Sequence, residues 1–226
     1  MAFGYPISLE LSGRRALVVG ERAVEEGKVE GLLAAGAGVT VVARRPAARL
    51  DRLERDARVT VARRGFRPED LDGVAVCVAS SDDRDLGAAI AGEARARGVL
   101  VNVMDQVENC DFAAPAVVRR GDLVIAVSTG GRSPAAASKL RAELEDRFGP
   151  EWSDVLEVVG DIRAQTLSLF PDVAERARRW RRALDLDEVV ALVRAGRGDD
   201  ARARLRARLS DGDPGRVRVE AEAAAR

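Results

Sequence analysis

The chain contains no histidine. That absence removes every mechanism built on an imidazole base and every metal site built on imidazole ligands. Cysteine is almost as scarce: Cys77 and Cys110 are the only two. They lack the spacing of a zinc module and suffice for at most one bridge, so neither a disulfide scaffold nor a thiolate metal cluster is expected. An excess of charge of one sign is also missing, because 37 basic residues balance 37 acidic ones. The bulk electrostatic case for a dedicated nucleic-acid or acidic-membrane binder goes with it, although local basic patches remain. Only Lys28 and Lys139 among the basic residues are lysines, and the arginine excess, with abundant Ala, Gly and Val, fits a GC-rich coding bias. No apolar run approaches the ~20 residues that span a bilayer, and the N-terminus lacks the basic start and apolar core of a secretion signal. A reducing, cytoplasmic setting is therefore expected, with neither membrane nor nucleic acid as partner.

At 226 residues the chain suits one large domain or two modest ones. Residues 15–20, Arg-Ala-Leu-Val-Val-Gly, form a short β-branched run ending in glycine, the pattern of a strand buried on both faces of a parallel sheet. Helical spacing of Val24, Val29, Leu32 and Leu33 follows over about residues 23–35, with Gly36 as a stop, and residues 38–43 make a second apolar strand. Strand, glycine turn, helix and strand within ~30 residues is the first half of a dinucleotide-binding fold. Further strands are expected at 59–62, 73–79 and 99–103, with a helix at 85–97, giving an α/β sheet of about five strands. Cys77 lies inside the fourth run and reads as a small core hydrophobe. Another strand is expected at 122–128, and Pro134 opens a helix to about Arg147. From 151 to 208 only helical periodicity remains, and residues 211–226 are polar and expected to fray.

Four places carry chemistry. The turn after the first strand reads Gly20-Glu21-Arg22-Ala23-Val24, keeping one glycine of the pyrophosphate cradle. Arg22 in place of the middle glycine either crowds the phosphates or offers them a guanidinium, and the same residues also fit an ordinary strand-to-helix turn. The second strand ends in Ala43-Arg44-Arg45, with no acid for a ribose 2′-hydroxyl. The two arginines can contact the ribose or accept a 2′-phosphate, which leaves NAD and NADP both open. Asp105 directly follows the fifth strand, at the carboxyl edge where such sheets bind ligands, and is a candidate acid or base or else a turn aspartate. Residues 128–134, Ser-Thr-Gly-Gly-Arg-Ser-Pro, sit between a strand and a helix start. They suit an anionic group, or equally form a tight loop capped by Ser133 with Pro134 at the first helical position.

Taken together, these segments resemble the precorrin-2 dehydrogenase family, the N-terminal module of siroheme synthases. The matching pieces are Tyr5-Pro-Ile-Ser-Leu-Glu-Leu, 13–20, 28–37, 39–43, Ser81-Asp82-Asp83, Asn102-Val-Met-Asp105, Cys110-Asp-Phe112 with Pro115-Ala-Val-Val, and 126–134, colinear over roughly residues 5–150. The resemblance implies a homodimer with a Rossmann-like parallel-sheet domain that binds NAD (1–113), a small α/β dimerisation domain (114–150) and a C-terminal helical domain (151–210), ahead of the polar tail. It also implies oxidation of precorrin-2 to sirohydrochlorin, with Fe²⁺ as a chelation substrate in some members. The family's catalytic aspartate corresponds to Asp105. Its cofactor contacts correspond to Ala23 and Val24, Arg44 and Arg45, and the Ser81-Asp82 region, with Gly20 and Arg22 in the same turn. A substrate rich in carboxylates makes Arg119, Arg120 and Arg132 candidates, alongside Ser128 and Thr129, although each arginine also fits a solvated face. Two positions depart from the family pattern: Gly20-Glu21-Arg22 replaces a triple glycine, and Gly87 replaces an asparagine. A chelatase without dinucleotide binding and a non-catalytic dinucleotide sensor remain alternatives. With no histidine present, a general base must be a carboxylate, a thiol, Tyr5, a lysine or water, and Asp105 is best placed among them.

Overall fold

The computed structural model describes residues 4–20, 26–46, 48 and 50–211. Arg22, Ala23 and Val24, and all of the expected tail except Asp211, lie outside the described residues. The chain divides into two compact units. The first runs through Ala114 and includes Gly130–Arg132, and the second holds Pro115–Thr129 and the residues from Ser133 onward.

In the first unit the elements follow as β1 (Arg15–Gly20), α1 (Glu26–Ala34), β2 (Gly38–Ala43), α2 (Leu50–Leu53), β3 (Val59–Ala62), β4 (Val74–Ser80), α3 (Arg84–Ala96) and β5 (Leu100–Val103). All five strands pair in parallel, in the order β3-β2-β1-β4-β5. The strands lack polar alternation because both faces of the sheet are covered. Ala16 and Val18 of β1 pack with Val29, Leu33, Val39 and Val41 on one face. Leu17 and Val19 pack with Ile90, Ala91, Ala94, Val101 and Val103 on the other. Side chains alternate strictly along a strand, so a doubly covered strand is apolar at most of its positions. Each buried Val, Leu or Ile contributes ~1.5–3 kcal/mol relative to exposure. The β3–β4 connection is pinned by Arg64, which grips Asp70 through two bonds of 2.8 and 2.5 Å, while the adjacent Leu71 is fully buried.

The second unit opens with an antiparallel hairpin, β6 (Ala116–Arg120) and β7 (Leu123–Val127), followed by α4 (Pro134–Arg147), α5 (Trp152–Leu169), α6 (Val173–Ala183), α7 (Leu186–Arg194) and α8 (Gly198–Ser210). The sequence reading found β7 but not β6, which offers only Ala-Val-Val before two arginines. Its partner and the tight turn at Gly121 (φ +56°) create it. Val155, Val158 and Ile162 of α5 pack with Val189 and Leu192 of α7 and Ala201, Leu205 and Leu209 of α8. Buried Arg179 gives Nη1 to the Leu209 carbonyl and Nε to Glu175, and lies 4.4 Å above the Phe170 ring. α5 packs on β7, and the hairpin and helices group in one unit. Among the described residues no helix is long and apolar enough to cross a membrane.

Candidate functional site

The chain leaves β1 toward β2 and β3 and returns to add β4 and β5 on the other side, so the strand order reverses between β1 and β4. Sheets of this kind bind ligands beyond the carboxyl ends of the strands at such a reversal. Register puts Ala43, Gly20 and Ser80 side by side there. Arg44 and Arg45 follow β2 as exposed residues, and the Arg44 guanidinium lies across Gly65, where a Cβ would come within 3.0 Å of Nη2. After β4, the Ser81 hydroxyl accepts from the Asp83 amide (3.1 Å) and Asp82 is exposed. Asp83 caps α3 by accepting from the Asp85 and Leu86 amides at 2.9 and 3.2 Å. Sequence reasoning had not given Asp83 this role, although Ser-Asp-Asp before a helix is a capping signal. A dinucleotide fits this edge. Gly20 carries no Cβ at the reversal, two guanidiniums can meet a ribose or its phosphate, and a hydroxyl and a carboxylate follow β4.

Asp105 is the one non-glycine at positive φ (61°) among the described residues. It occupies the third position of a turn closed by the Gln106 amide on the Val103 carbonyl (3.2 Å), and the Met104 amide ties that turn to the Ala79 carbonyl of β4 (2.8 Å). Turns prefer glycine or asparagine there, and holding another residue in this region costs ~1–3 kcal/mol, so its surroundings must impose it. The following segment does so by folding back along β5. Cys110 Sγ lies 3.1 Å from the Val103 carbonyl, and Asn102 Nδ2 donates to the Phe112 carbonyl (2.8 Å). Asp111 exchanges backbone and carboxylate bonds with Val101 (2.7 and 3.2 Å) and accepts from Arg95 Nε (2.8 Å). The motif residues Asn102, Cys110, Asp111 and Phe112 thus build the seat of Asp105, whose own carboxylate stays exposed. Burial pushes the Cys110 thiol up and the Cys77 thiol to about 12, so both stay protonated near neutrality and neither is an activated nucleophile.

The candidates after Ala114 divide. Thr129 Oγ1 accepts from the Ser133 amide (3.1 Å) and donates to its carbonyl (3.2 Å), while Ser133 Oγ accepts from the Ala136 amide (3.1 Å). With Gly130 and Gly131 at positive φ and Pro134 in the first turn of α4, this is the tight, self-capped form of the loop. Arg120 is tied to backbone carbonyls. Its guanidinium donates to the carbonyls of Phe148 (2.9 Å), Glu145 (3.3 Å) and Arg119 (3.0 Å), closing the carboxyl end of α4. Ser128, Arg119 and Arg132 are exposed. Among the described residues no group of three or more Cys, Asp or Glu side chains forms a metal site.

Comparison with known proteins bears on the same residues. One family model, described as "Putative NAD(P)-binding", matches residues 7–116, and a second, "Sirohaem biosynthesis protein central", matches 120–147. The siroheme synthase of Chromobacterium violaceum is 36% identical over 200 residues, which is 88% of this chain and 42% of that protein. The siroheme synthase of Pseudomonas entomophila is 35% identical over 209 residues, 92% of this chain and 45% of that protein. The chain therefore spans under half the length of these curated relatives. A solved structure of SirC, a precorrin-2 dehydrogenase, shares the fold with a TM-score of 0.70 at 24% identity, covering 89% of this chain and 100% of that one. The two family models follow one another from the parallel sheet into the hairpin and α4, and over 88–92% of its length the chain is similar to part of these siroheme synthases.

Proposed function

We propose that this chain is a homodimeric, cytoplasmic NAD-dependent dehydrogenase that oxidises precorrin-2 to sirohydrochlorin. The observation that carries the proposal is Asp105, a carboxylate held at φ 61° at the end of β5, beside the strand-order reversal. NAD, when bound, supplies the hydride acceptor. Gly20, Arg44, Arg45, Ser81 and Asp82 hold the dinucleotide, joined by Arg22, Ala23 and Val24, which lie outside the described residues. Asp105 takes the proton released as the tetrapyrrole loses two hydrogens, and its exposed carboxylate is free to pass that proton to water. Ser128, Arg119 and Arg132 orient the carboxylate-rich substrate through charge-assisted contacts. Ferrous iron enters only as a chelation substrate.

Support for the homodimer comes from the hairpin. Its outward face presents Val117 and Val124 at 38% and 44% exposure, and α4 buries only Ala137 while exposing Leu140. A two-stranded ribbon is marginal alone, and an apolar face this open calls for cover.

The test is to mix the protein anaerobically with precorrin-2 and follow the sirohydrochlorin spectrum with NAD, with NADP and without cofactor, then after Fe²⁺ addition. Cofactor-dependent oxidation is expected. A folded dimer that oxidises nothing with either cofactor would contradict the proposal, and iron insertion without any response to NAD would replace it with the chelatase reading.

A further inference from the structure

Gln106 follows Asp105 and is 3% exposed, one of very few buried polar side chains among the described residues. Its carboxamide bridges three segments. Nε2 lies 3.4 Å from the Ser81 carbonyl at the end of β4, and Oε1 accepts from Asn109 Nδ2 at 2.9 Å. Its third contact is Gly87 in the first turns of α3, where a Cβ would lie 2.5 Å from Oε1 and 2.7 Å from Nε2. The glycine therefore makes the space the carboxamide fills. An exposed Arg84–Glu108 ion pair spans the same junction from α3 to the loop after Asp105, but pairs of that kind hold little on their own. The buried amide is the inner tie.

We propose that Gln106 is a positioning residue, a latch that fixes the Asp105 turn against the Ser81 loop and for which Gly87 is the receptacle. The proposal rests on the role of Asp105 given above. The backbone of Gln106 closes the turn that holds Asp105 left-handed, and its side chain anchors that turn to the strand end assigned to the dinucleotide. One side chain thus sets the distance between the proton acceptor and the cofactor loop.

The geometry supplies its own perturbation. Only the mobile end of Gln106 opposes a Cβ at Gly87, so Gly87→Ala displaces the carboxamide without breaking the backbone, and alanine favours the helix over glycine. The helix gain of Gly87→Ala offsets the cost of displacing the buried carboxamide, so the variant is expected to melt close to the parent and yet lose roughly 10- to 100-fold in kcat, the scale of a small misplacement. Gln106→Ala is expected to lose a similar factor. Combining the two should cost no more than Gln106→Ala alone, because the carboxamide is already gone. Gly87→Asn with Gln106→Ala returns a carboxamide to the same space from the helix side and should recover part of the lost kcat.

The measurements are kcat and KM for precorrin-2, the NAD dissociation constant and Tm, made on the full chain with Asp105→Ala run in parallel. Additive losses in the double variant, a kcat that falls only in step with Tm, or a rise in KM with kcat intact would each overturn the latch. If Asp105→Ala is inactive while Gln106→Ala is fully active, the latch alone fails. An active Asp105→Ala, or a parent that oxidises nothing, overturns the role of Asp105 and the latch with it.

Discussion

The Asp105 turn and the Thr129–Pro134 loop both follow a strand and both drew attention as ligand sites, but they are built by opposite means. The loop carries internal ties: Thr129 and Ser133 exchange their bonds, two glycines take the left-handed positions, and Pro134 starts α4 without needing an amide donor. The turn is held from outside, by β4, by the fold-back of Cys110 and Asp111, and by Gln106, and it places a non-glycine where glycine belongs. Glycines and a proline account for the backbone of that loop without strain. A strained aspartate that its neighbours combine to hold is the place to look for chemistry.

The sharpest break in that comparison is Asp105→Gly. Glycine accepts the positive φ freely, so the variant should be more stable by ~1 kcal/mol and melt higher. A lost general base nonetheless costs ~10²–10⁴-fold in turnover. Stability and activity moving in opposite directions would mark strain held for function, and equal turnover would remove it. A smaller effect is expected from the exposed arginines. Reversing Arg119 and Arg132 together to glutamate should raise KM for precorrin-2 about tenfold, the loss of roughly one charge-assisted contact, with Tm unchanged. Arg120→Ala should do the reverse, leaving KM in place while destabilising the second unit by ~1–3 kcal/mol as α4 loses its carbonyl partner.

Much of the first unit was legible beforehand. Strands buried on both faces are mostly apolar, and β1, β2 and β3 begin and end where their runs do. The hairpin was half legible because β6 owes its strand character to its partner rather than to its residues. Among the site residues, Asp105 stood out by its position after a strand, yet nothing in a string of residues announces its backbone angle. The cluster Asn102, Cys110, Asp111 and Phe112 showed as a pattern of unstated purpose, and only the fold-back along β5 reveals that it seats Asp105. Arg120 could not be told from its many sister arginines, since a guanidinium that closes a helix end and one that meets a substrate differ only in what surrounds them.

The smallest effects test the self-contained features. Thr129→Val should cost ~0.5–1.5 kcal/mol by thermal melting and leave turnover within about twofold. In the sheet unit, the Arg64 hydrogen bond holds the Asp70 carboxyl below its ordinary value. The folded state therefore binds this proton less readily than the unfolded one, so the stabilisation is present above the usual carboxylate range and is lost as pH falls through the lowered value. Asp70→Asn should flatten the decline in Tm on acidification below about pH 4, whereas an unchanged acid profile would show that the pair contributes nothing.

The central claim is that Asp105 carries the proton in a dinucleotide-dependent oxidation, and it is tested most directly by measuring NAD affinity and precorrin-2 turnover on the same preparation of Asp105→Ala. The account predicts an NAD dissociation constant within about twofold of the parent and turnover reduced by ~10²–10⁴-fold. Turnover within about tenfold of the parent, with NAD still bound, would contradict it.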